Sequence, residues 1–159
     1  KRAVLLGAGG AATAIVNALL EQGIQEIAVA NRSIEKANQL RNRFGKKIVP
    51  MEWQGAAEQL SECDILVNTT SLGMQGQPPL TIDLARLQPS AIVSDAVYVP
   101  LKTPLLIEAA ARGHRVVGGL GMLLHQAVGG FELWFGVRPA VTQELYALVA
   151  RDIDPDYAT

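Results

Sequence analysis

A glycine-rich segment near the start of the chain has the spacing of a phosphate-binding turn. Its residues are Gly7, Ala8, Gly9, Gly10, Ala11 and Ala12. They match the pattern G-x-G-x-x-A, in which the first glycine permits a tight turn, the second lets the backbone approach a pyrophosphate, and a small sixth residue lets a helix pack closely on a strand. Because tight strand-to-helix turns also use glycine for steric reasons alone, the motif indicates a dinucleotide site only inside a βαβ unit.

A second polar group follows the next predicted strand, where Asn31, Arg32, Ser33 and Lys36 occur together. Enzymes that use NAD place Asp or Glu at this position to bind the ribose 2′-hydroxyl. A guanidinium offers a planar fork to a phosphate and a carboxylate would repel one, so Asn31 and Arg32 favour NADP, with Lys36 as a second cation. The alternative is that Arg32 is a solvated turn residue and Ser33 only caps the following helix.

Polar side chains also follow the fourth predicted strand, in the segment Asn68–Met74. The ligand crevice of an open α/β sheet lies outside the carboxyl ends of the strands, so Thr70 and Ser71 could line the path of a cofactor. Asx and Ser/Thr turns would explain the same residues without any ligand.

The segment after the fifth strand runs from Asp95 to Pro104. We expect Asp95 to accept backbone N–H groups rather than to act as an acid or base, and we expect Thr103 to cap the following helix. Tyr98 is open between packing and substrate contact.

Helical spacing after the sixth strand places small residues and one amide on a single stripe. The residues of the stripe are Gly119, Met122, Gln126, Gly129 and Gly130. Gln126 either hydrogen-bonds a ligand in the space that the glycines leave, or the glycines only let another helix approach. His114 and His125 are expected to be solvated or structural.

The elements that position these residues are short apolar runs alternating with helical segments. The predicted strands are Ala3–Leu6, Glu26–Ala30, Lys47–Pro50, Ile65–Asn68, Ile92–Asp95 and Arg115–Val117. Each is apolar enough to be buried on both faces. The predicted helices are Ala11–Gln22, Ile34–Phe44, Gly55–Leu60, Pro104–Arg112, Leu120–Phe135 and Thr142–Asp152. The pattern predicts an α/β fold with a Rossmann-type doubly wound parallel sheet of about six strands and C-terminal helices.

Composition narrows the class of protein. The chain has 159 residues, is 18% charged, and has a formal net charge of -1, which predicts one soluble domain and argues against nucleic acid as a partner. Cys63 is expected in the core, and Asp64 beside it has no nearby His or Cys to suggest a metal site. Polar residues and glycines interrupt the apolar stretch Val116–Phe135, and no secretory signal opens the chain, so we expect a cytoplasmic protein without membrane contact.

Taken in order, these segments closely resemble the NADP-binding domain of the shikimate dehydrogenase family. The resemblance spans nearly the whole chain and rests on three motifs: N-x-T-S-x-G-M from Asn68, Y-x-P-x-x-T-P-L from Tyr98 and G-x-G-M-L-x-x-Q-A from Gly119. It implies an oxidoreductase that reduces 3-dehydroshikimate to shikimate with NADPH, in the chorismate pathway to aromatic amino acids.

The resemblance implies a role for each matched residue. Pyrophosphate contacts fall to Ala8, Gly9, Gly10 and Ala11. Contacts with the adenosine 2′-phosphate fall to Asn31, Arg32 and Lys36. The rest of the cofactor would lie along Thr70, Ser71, Ala96, Gly119 and Met122. The substrate would contact Tyr98 and Gln126. Ser33 stands where the family commonly has Thr, which keeps the hydroxyl, and Ala96 replaces a larger side chain often found near the nicotinamide.

The family's proton-relay Lys and Asp, and the Ser, Thr and Asn groups that hold the substrate, belong to an N-terminal domain preceding the glycine turn. Nothing in this sequence matches them. Because hydride transfer to a ketone also needs a proton donor, we expect residues 1–159 to form a single cofactor domain without catalytic residues, inactive alone.

The rival interpretations are an NAD-dependent quinate/shikimate dehydrogenase, disfavoured by Asn31 and Arg32, and a non-catalytic NADP-binding module. Glutamyl-tRNA reductase has a similar cofactor domain but fits Tyr98 and Gln126 poorly. Oligomeric state stays open.

Overall fold

Six short strands form one parallel sheet in the computed structural model, which describes residues 1–157. The strands are β1 (Arg2–Leu6), β2 (Glu26–Asn31), β3 (Ile48–Glu52), β4 (Ile65–Asn68), β5 (Ile92–Asp95) and β6 (Arg115–Val117). Their order across the sheet is β3-β2-β1-β4-β5-β6, and every neighbouring pair is parallel. The predicted doubly wound fold is therefore confirmed. The direction of winding reverses between β1 and β4, and a ligand crevice lies outside the strand ends at such a point.

Within residues 1–157, five α-helices connect or follow the strands. They are α1 (Gly10–Glu21), α2 (Ile34–Phe44), α3 (Pro104–Ala111), α4 (Leu120–Phe135) and α5 (Gln143–Ile153). Gly23, Gly45 and Gly113 follow the helix ends with φ of 82°, 87° and 87°, as expected of stop positions. Thr103 caps α3, since its hydroxyl accepts a hydrogen bond from the Leu106 N–H at 3.4 Å. These predicted helix signals are confirmed.

The predicted helix at Gly55–Leu60 is wrong in type, because the segment forms two 3₁₀ turns, Trp53–Gly55 and Ala57–Glu62. The turns close with i→i+3 bonds, from Ala56 N–H to the Trp53 carbonyl at 3.1 Å and from Cys63 N–H to the Leu60 carbonyl at 3.2 Å. Gly55 lowers the helix propensity of so short a segment. The two turns still bury Ala56 and Leu60 against the sheet.

Alternate residues of the central strands enter two apolar clusters, one on each face of the sheet. In β1, Val4 and Leu6 pack in one cluster, while Ala3 and Leu5 pack in the other. Cys63 is fully buried in the first cluster, which confirms its predicted core position. Burial on both faces does not extend to the two edge strands: all three residues of β6 are exposed, and β3 is fully buried only at Ile48. That part of the prediction is wrong.

The two trailing helices, α4 and α5, pack against one another. At its end α4 exposes Phe131, Leu133, Trp134 and Phe135, with Leu133 86% and Trp134 80% exposed. We call these four side chains the α4 apolar patch. Nothing within residues 1–157 covers it. In that same range, none of the helices combines the length and the apolar character that crossing a bilayer requires.

Candidate cofactor-binding site

A cleft of about 330 Å³ opens at the carboxyl ends of the central strands. The residues that line it are Gly7, Ala8, Gly9, Asn31, Arg32, Lys36, Trp53, Thr69, Thr70, Ser71 and Leu72. Three segments far apart in sequence therefore meet at one place: the glycine turn after β1, the basic turn after β2, and the polar loop after β4. The topology explains this meeting, because β2, β1 and β4 are consecutive in the sheet.

The protein's own packing requires the first glycine of the motif. Gly7 has a φ of 100° and donates its N–H to the Ala30 carbonyl at 2.8 Å. A Cβ at this position would lie 2.8 Å from Thr69 Oγ1 and 2.9 Å from Thr70 Cγ2. Backbone conformation and close approach both exclude a larger residue here.

Packing does not explain the next two glycines. Gly9 is the N-cap of α1, with a φ of -92° that any residue adopts, and a Cβ at Gly9 or Gly10 would meet no atom within 4 Å. The absent side chains leave open space at the start of α1, where the first backbone N–H groups have no partner within the helix. Such a helix start suits a phosphate. Gly10 and Ala11 begin α1 beside the cleft without lining it.

The basic end of the cleft carries two exposed cations, Arg32 and Lys36. Neither forms an ion pair within residues 1–157. Asn31 fixes the turn, since its side-chain amide donates to the Ser33 carbonyl at 2.8 Å. The two charges therefore remain available to an anion that enters the cleft.

Ser33 does not make the capping hydrogen bond that the alternative interpretation gave it. It occupies the N-cap position of α2, but its hydroxyl donates to the Glu35 carboxylate at 2.7 Å and makes no capping bond to the helix backbone. This hydrogen bond is the largest cause that lowers the pKa of Glu35. The alternative of a side-chain cap is wrong because a carboxylate two residues later competes for the hydroxyl. The role of Ser33 toward a cofactor stays a prediction. Ser33 does not line the cleft.

Most polar groups of the loop after β4 serve the fold. Asn68 Oδ1 accepts from the N–H and the hydroxyl of Thr70 at 3.0 and 2.7 Å, which is an Asx turn, and the Thr69 hydroxyl donates to the Leu6 carbonyl at 2.8 Å. Four consecutive polar residues, 68–71, begin this loop. Among their side chains, only the Ser71 hydroxyl has no hydrogen-bond partner in the described structure. The alternative of turn chemistry thus accounts for three of the four residues, and Ser71 is the one free to meet a ligand.

Asp95 behaves as a structural acceptor, as predicted. It accepts a hydrogen bond from the Val97 N–H and also from the side chains of Asn68 and Thr103. Burial raises the pKa of Asp95, and these hydrogen bonds oppose the shift. Across residues 1–157, no three His, Cys, Asp or Glu side chains are grouped so that they could hold a metal ion.

Eight of the predicted residues do not line this cleft. Besides Gly10, Ala11 and Ser33, they are Ala96, Tyr98, Gly119, Met122 and Gln126. Gly119 packs against the backbone of Ala96, so these two lie side by side after β5 and β6. Met122 and Gln126 are exposed on α4, and Tyr98 is half-buried. Their roles toward a cofactor or substrate stay predictions.

Sequence reasoning missed Trp53. This half-buried residue follows β3 directly and lines the cleft together with the basic turn after β2. Periodicity gives no signal for Trp53, because only the strand order shows that the carboxyl end of β3 lies beside that of β2.

Two family models match the chain. One, described as shikimate / quinate 5-dehydrogenase, matches residues 1–85, and the other, described as the shikimate 5'-dehydrogenase C-terminal domain, matches residues 119–143. The first covers the glycine turn, the basic turn and the loop after β4. The second begins at Gly119 and covers α4.

Curated proteins and solved structures agree with these matches. The chain is 61% identical over 153 residues to shikimate dehydrogenase (NADP(+)) of Rhodopseudomonas palustris strain TIE-1, covering 96% of this chain and 55% of that protein. It is similar, at a TM-score of 0.80 and 34% identity, to quinate dehydrogenase from Corynebacterium glutamicum in complex with NAD, covering 89% of this chain and 52% of that one. It is also similar, at a TM-score of 0.77 and 34% identity, to shikimate 5-dehydrogenase from Thermus thermophilus in complex with NADP(H) and shikimate, covering 95% and 54%. The chain thus spans about half the length of the curated relatives it matches.

Proposed function

Because the chain belongs to the shikimate / quinate 5-dehydrogenase family, we propose that it binds NADP(H) as the cofactor domain of an enzyme that reduces 3-dehydroshikimate to shikimate. The observation that carries the proposal is the placement of Arg32 and Lys36. Both are free of ion pairs within residues 1–157 and line the same cleft as Gly9.

The residues of the cleft fit the phosphates of the cofactor. The open space at Gly9 and Gly10 lets a pyrophosphate reach the N–H groups that begin α1. Arg32 and Lys36 supply positive charge where the second strand ends, which is where a 2′-phosphate would lie. When bound, the cofactor supplies the hydride. The protein's part is to fix its position and to exclude NADH, which lacks that phosphate.

Reduction of a ketone also requires a proton donor, in addition to the hydride of the cofactor. The buried carboxylate at the carboxyl end of the sheet, Asp95, already accepts three hydrogen bonds. We therefore propose that the proton relay and most of the substrate contacts come from the part of the relatives' length that this chain does not span. The α4 apolar patch supports this, since aromatic side chains so exposed are typical of surfaces that pack against another domain.

A second candidate is a quinate dehydrogenase that uses NAD. The likeness to the Corynebacterium glutamicum enzyme in complex with NAD favours it. Arg32 disfavours it, because an NAD site places a carboxylate at the end of the second strand. Relative affinities for NADPH and NADH distinguish the two candidates.

Tryptophan fluorescence can test cofactor binding at this particular cleft. The chain has two tryptophans, Trp53 in the cleft and Trp134 in the α4 apolar patch. In the variant Trp134→Phe the emission comes from Trp53 alone, and we expect saturable quenching by NADPH. The matched variant Trp53→Phe leaves only Trp134, which does not line the cleft, and should show a clearly smaller saturable change. Equal responses of the two variants would contradict binding in the cleft.

The activity itself needs the remaining length of the enzyme. Joining this chain to the unmatched part of the Rhodopseudomonas palustris relative gives a chimera whose cofactor domain is 61% identical to the segment that it replaces. We expect the chimera to reduce 3-dehydroshikimate with NADPH. A folded chimera that binds NADPH would contradict the proposed substrate if it reduced only the ketone that corresponds to quinate, or reduced neither ketone.

A further inference from the structure

A buried carboxylate joins the two loops that follow β4 and β5. Asp95 is 1% exposed, and its partners Asn68 and Thr103 are both 0% exposed. Asp95 Oδ1 accepts from the Asn68 side-chain amide at 2.9 Å and from the Val97 N–H at 3.0 Å. Asp95 Oδ2 accepts from the Thr103 hydroxyl at 2.7 Å. One side chain thus fixes the end of β4, the loop after β5 and the start of α3.

Asn68 carries the connection to the cleft. Its amide nitrogen donates both to Asp95 and, at 3.2 Å, to the Leu72 carbonyl, while its oxygen accepts the N–H and hydroxyl of Thr70. Every donor and acceptor of the Asn68 side chain is therefore used. Because Thr70 lines the cleft, a displacement of Asp95 reaches the cleft through a single intermediate side chain.

We propose that Asp95 is a positioning residue that fixes the Thr70–Ser71 loop and the Ala96–Tyr98 loop in position relative to each other. The inference rests on the proposed function. The first loop lines the cleft that would take the adenosine and pyrophosphate, and the family resemblance places the second loop at the nicotinamide end. Asp95 contacts neither ligand and acts through Asn68 and Val97. A change at Asp95 should therefore weaken the binding of the whole cofactor but not the binding of its adenosine half alone.

Stability alone gives a poor reason for a carboxylate at this place. Burial raises the pKa of Asp95 despite three hydrogen bonds, so keeping the group ionised costs folding free energy. Asparagine has the same shape, and its oxygen can face Asn68 and Val97 while its NH₂ donates to the Thr103 hydroxyl. The variant Asp95→Asn should fold. What it loses is the strength of charge-assisted hydrogen bonds, which are about twice as strong as neutral ones.

The test compares two ligands on the 159-residue chain by calorimetry. Adenosine 2′,5′-bisphosphate reports the basic end of the cleft alone, whereas NADPH also reaches the second loop. We expect Asp95→Asn to weaken NADPH binding roughly threefold to tenfold, with the affinity for the bisphosphate and the unfolding temperature unchanged. Thr103→Val removes both the donor to Asp95 and the cap of α3, so it should lower the unfolding temperature and also weaken NADPH binding relative to the bisphosphate. Thr103→Ser keeps the hydroxyl and should restore the unmodified behaviour.

Asp83→Asn is the matched control, since Asp83 is an exposed aspartate that also accepts a backbone N–H, from Ala85 at 2.8 Å, but away from the cleft. It should change neither affinity. If Asp95→Asn and Thr103→Val leave the ratio of the two affinities unchanged, or lower both affinities together with the unfolding temperature, Asp95 is structural and the inference is wrong. If a variant does not fold, the unmodified chain decides: the Val97 amide resonance must shift with NADPH and stay unshifted with the bisphosphate.

The two proposals fail in different ways. An unmodified chain that binds no NADPH contradicts the proposed function. An unmodified chain that binds NADPH, with variants that keep the same ratio of affinities, contradicts the positioning role alone.

Discussion

Gly119, the residue before α4, packs so closely on Ala96, the residue after β5, that a Cβ at position 119 would overlap the Ala96 carbonyl group. The same Cβ would lie 2.8 Å from the Val97 carbonyl oxygen. The start of α4 is thereby pinned to the loop that Asp95 holds. The sequence relates the stripe of small residues along α4 to a ligand. At Gly119, the first residue of that stripe, packing against Ala96 is enough to explain the glycine.

The first prediction concerns that contact. Gly119→Ala should lower the free energy of unfolding by about 1–3 kcal/mol, because backbone atoms on two segments must move to admit the methyl group. The control is Gly129→Ala, further along α4, where a Cβ meets nothing within 4 Å. That change should be neutral or slightly stabilising, since alanine favours the helix. Urea unfolding of both variants measures the difference, and equal stabilities would show that the close contact is absent.

The second prediction separates the glycines of the turn. Gly9→Ala should reduce the affinity for NADPH about tenfold or more, since the methyl group occupies the space in which a pyrophosphate approaches the backbone. The unfolding temperature should not change, because Gly9 has an ordinary φ and no close neighbour. Gly7→Ala should instead destabilise the fold through its φ of 100° and its contacts with Thr69 and Thr70. Calorimetric titration and thermal unfolding of both variants test this, and a Gly9→Ala variant that binds NADPH normally would contradict it.

The third prediction concerns Cys63. Burial raises the pKa of its thiol from 9.0 to about 11, so the thiolate fraction at pH 8 falls about a hundredfold. Because the pKa in the folded state exceeds that in the unfolded state, this group favours folding below pH 9 and the contribution is lost as the pH rises through 11. At pH 8 the native chain should resist a disulfide reagent that reacts promptly in denaturant. The chain has a single cysteine, so the signal is unambiguous; prompt reaction of the native chain would show that the thiol is accessible.

The fold was predictable because local and global signals agree. Each strand is a short run rich in apolar residues, and all six predicted strands match the observed ones to within two residues at each end. The exposure of β6 could not be predicted in this way, because Arg115–Val117 has the composition of a buried strand and only the strand order places it at an edge.

The residues of the cleft were predictable where they directly follow the end of a strand. Gly7, Arg32 and Ser71 were singled out from their places after β1, β2 and β4, and the sheet brings them to one cleft. Trp53 and the hydroxyl of Ser33 were not predictable, because each depends on a neighbour that periodicity does not show. For Trp53 the neighbour is the adjacent strand, and for Ser33 it is the carboxylate of Glu35.

The fourth prediction applies to the chimera, in which substrate can bind. Gln126 is exposed on α4, with no hydrogen-bond partner for its side chain among the described residues. Gln126→Ala should weaken binding of shikimate by about 1–3 kcal/mol if a substrate oxygen is left buried and unpaired. The affinity for NADPH should hardly change. Steady-state kinetics with both ligands varied decide this, and an equal loss for both ligands would mean that Gln126 is structural.

The central claim is that the basic turn after β2 selects NADP(H), and a paired titration of NADPH and NADH tests it most directly. We expect the unmodified chain to prefer NADPH about tenfold or more, since charge-assisted hydrogen bonds to the 2′-phosphate have no counterpart in NADH. Arg32→Asp should invert the preference, because a carboxylate repels the phosphate and accepts from the ribose 2′-hydroxyl. Arg41→Asp, in the last turn of α2 and outside the cleft, makes the same charge change and should leave the preference intact. Equal affinities of the unmodified chain for the two cofactors would contradict the account.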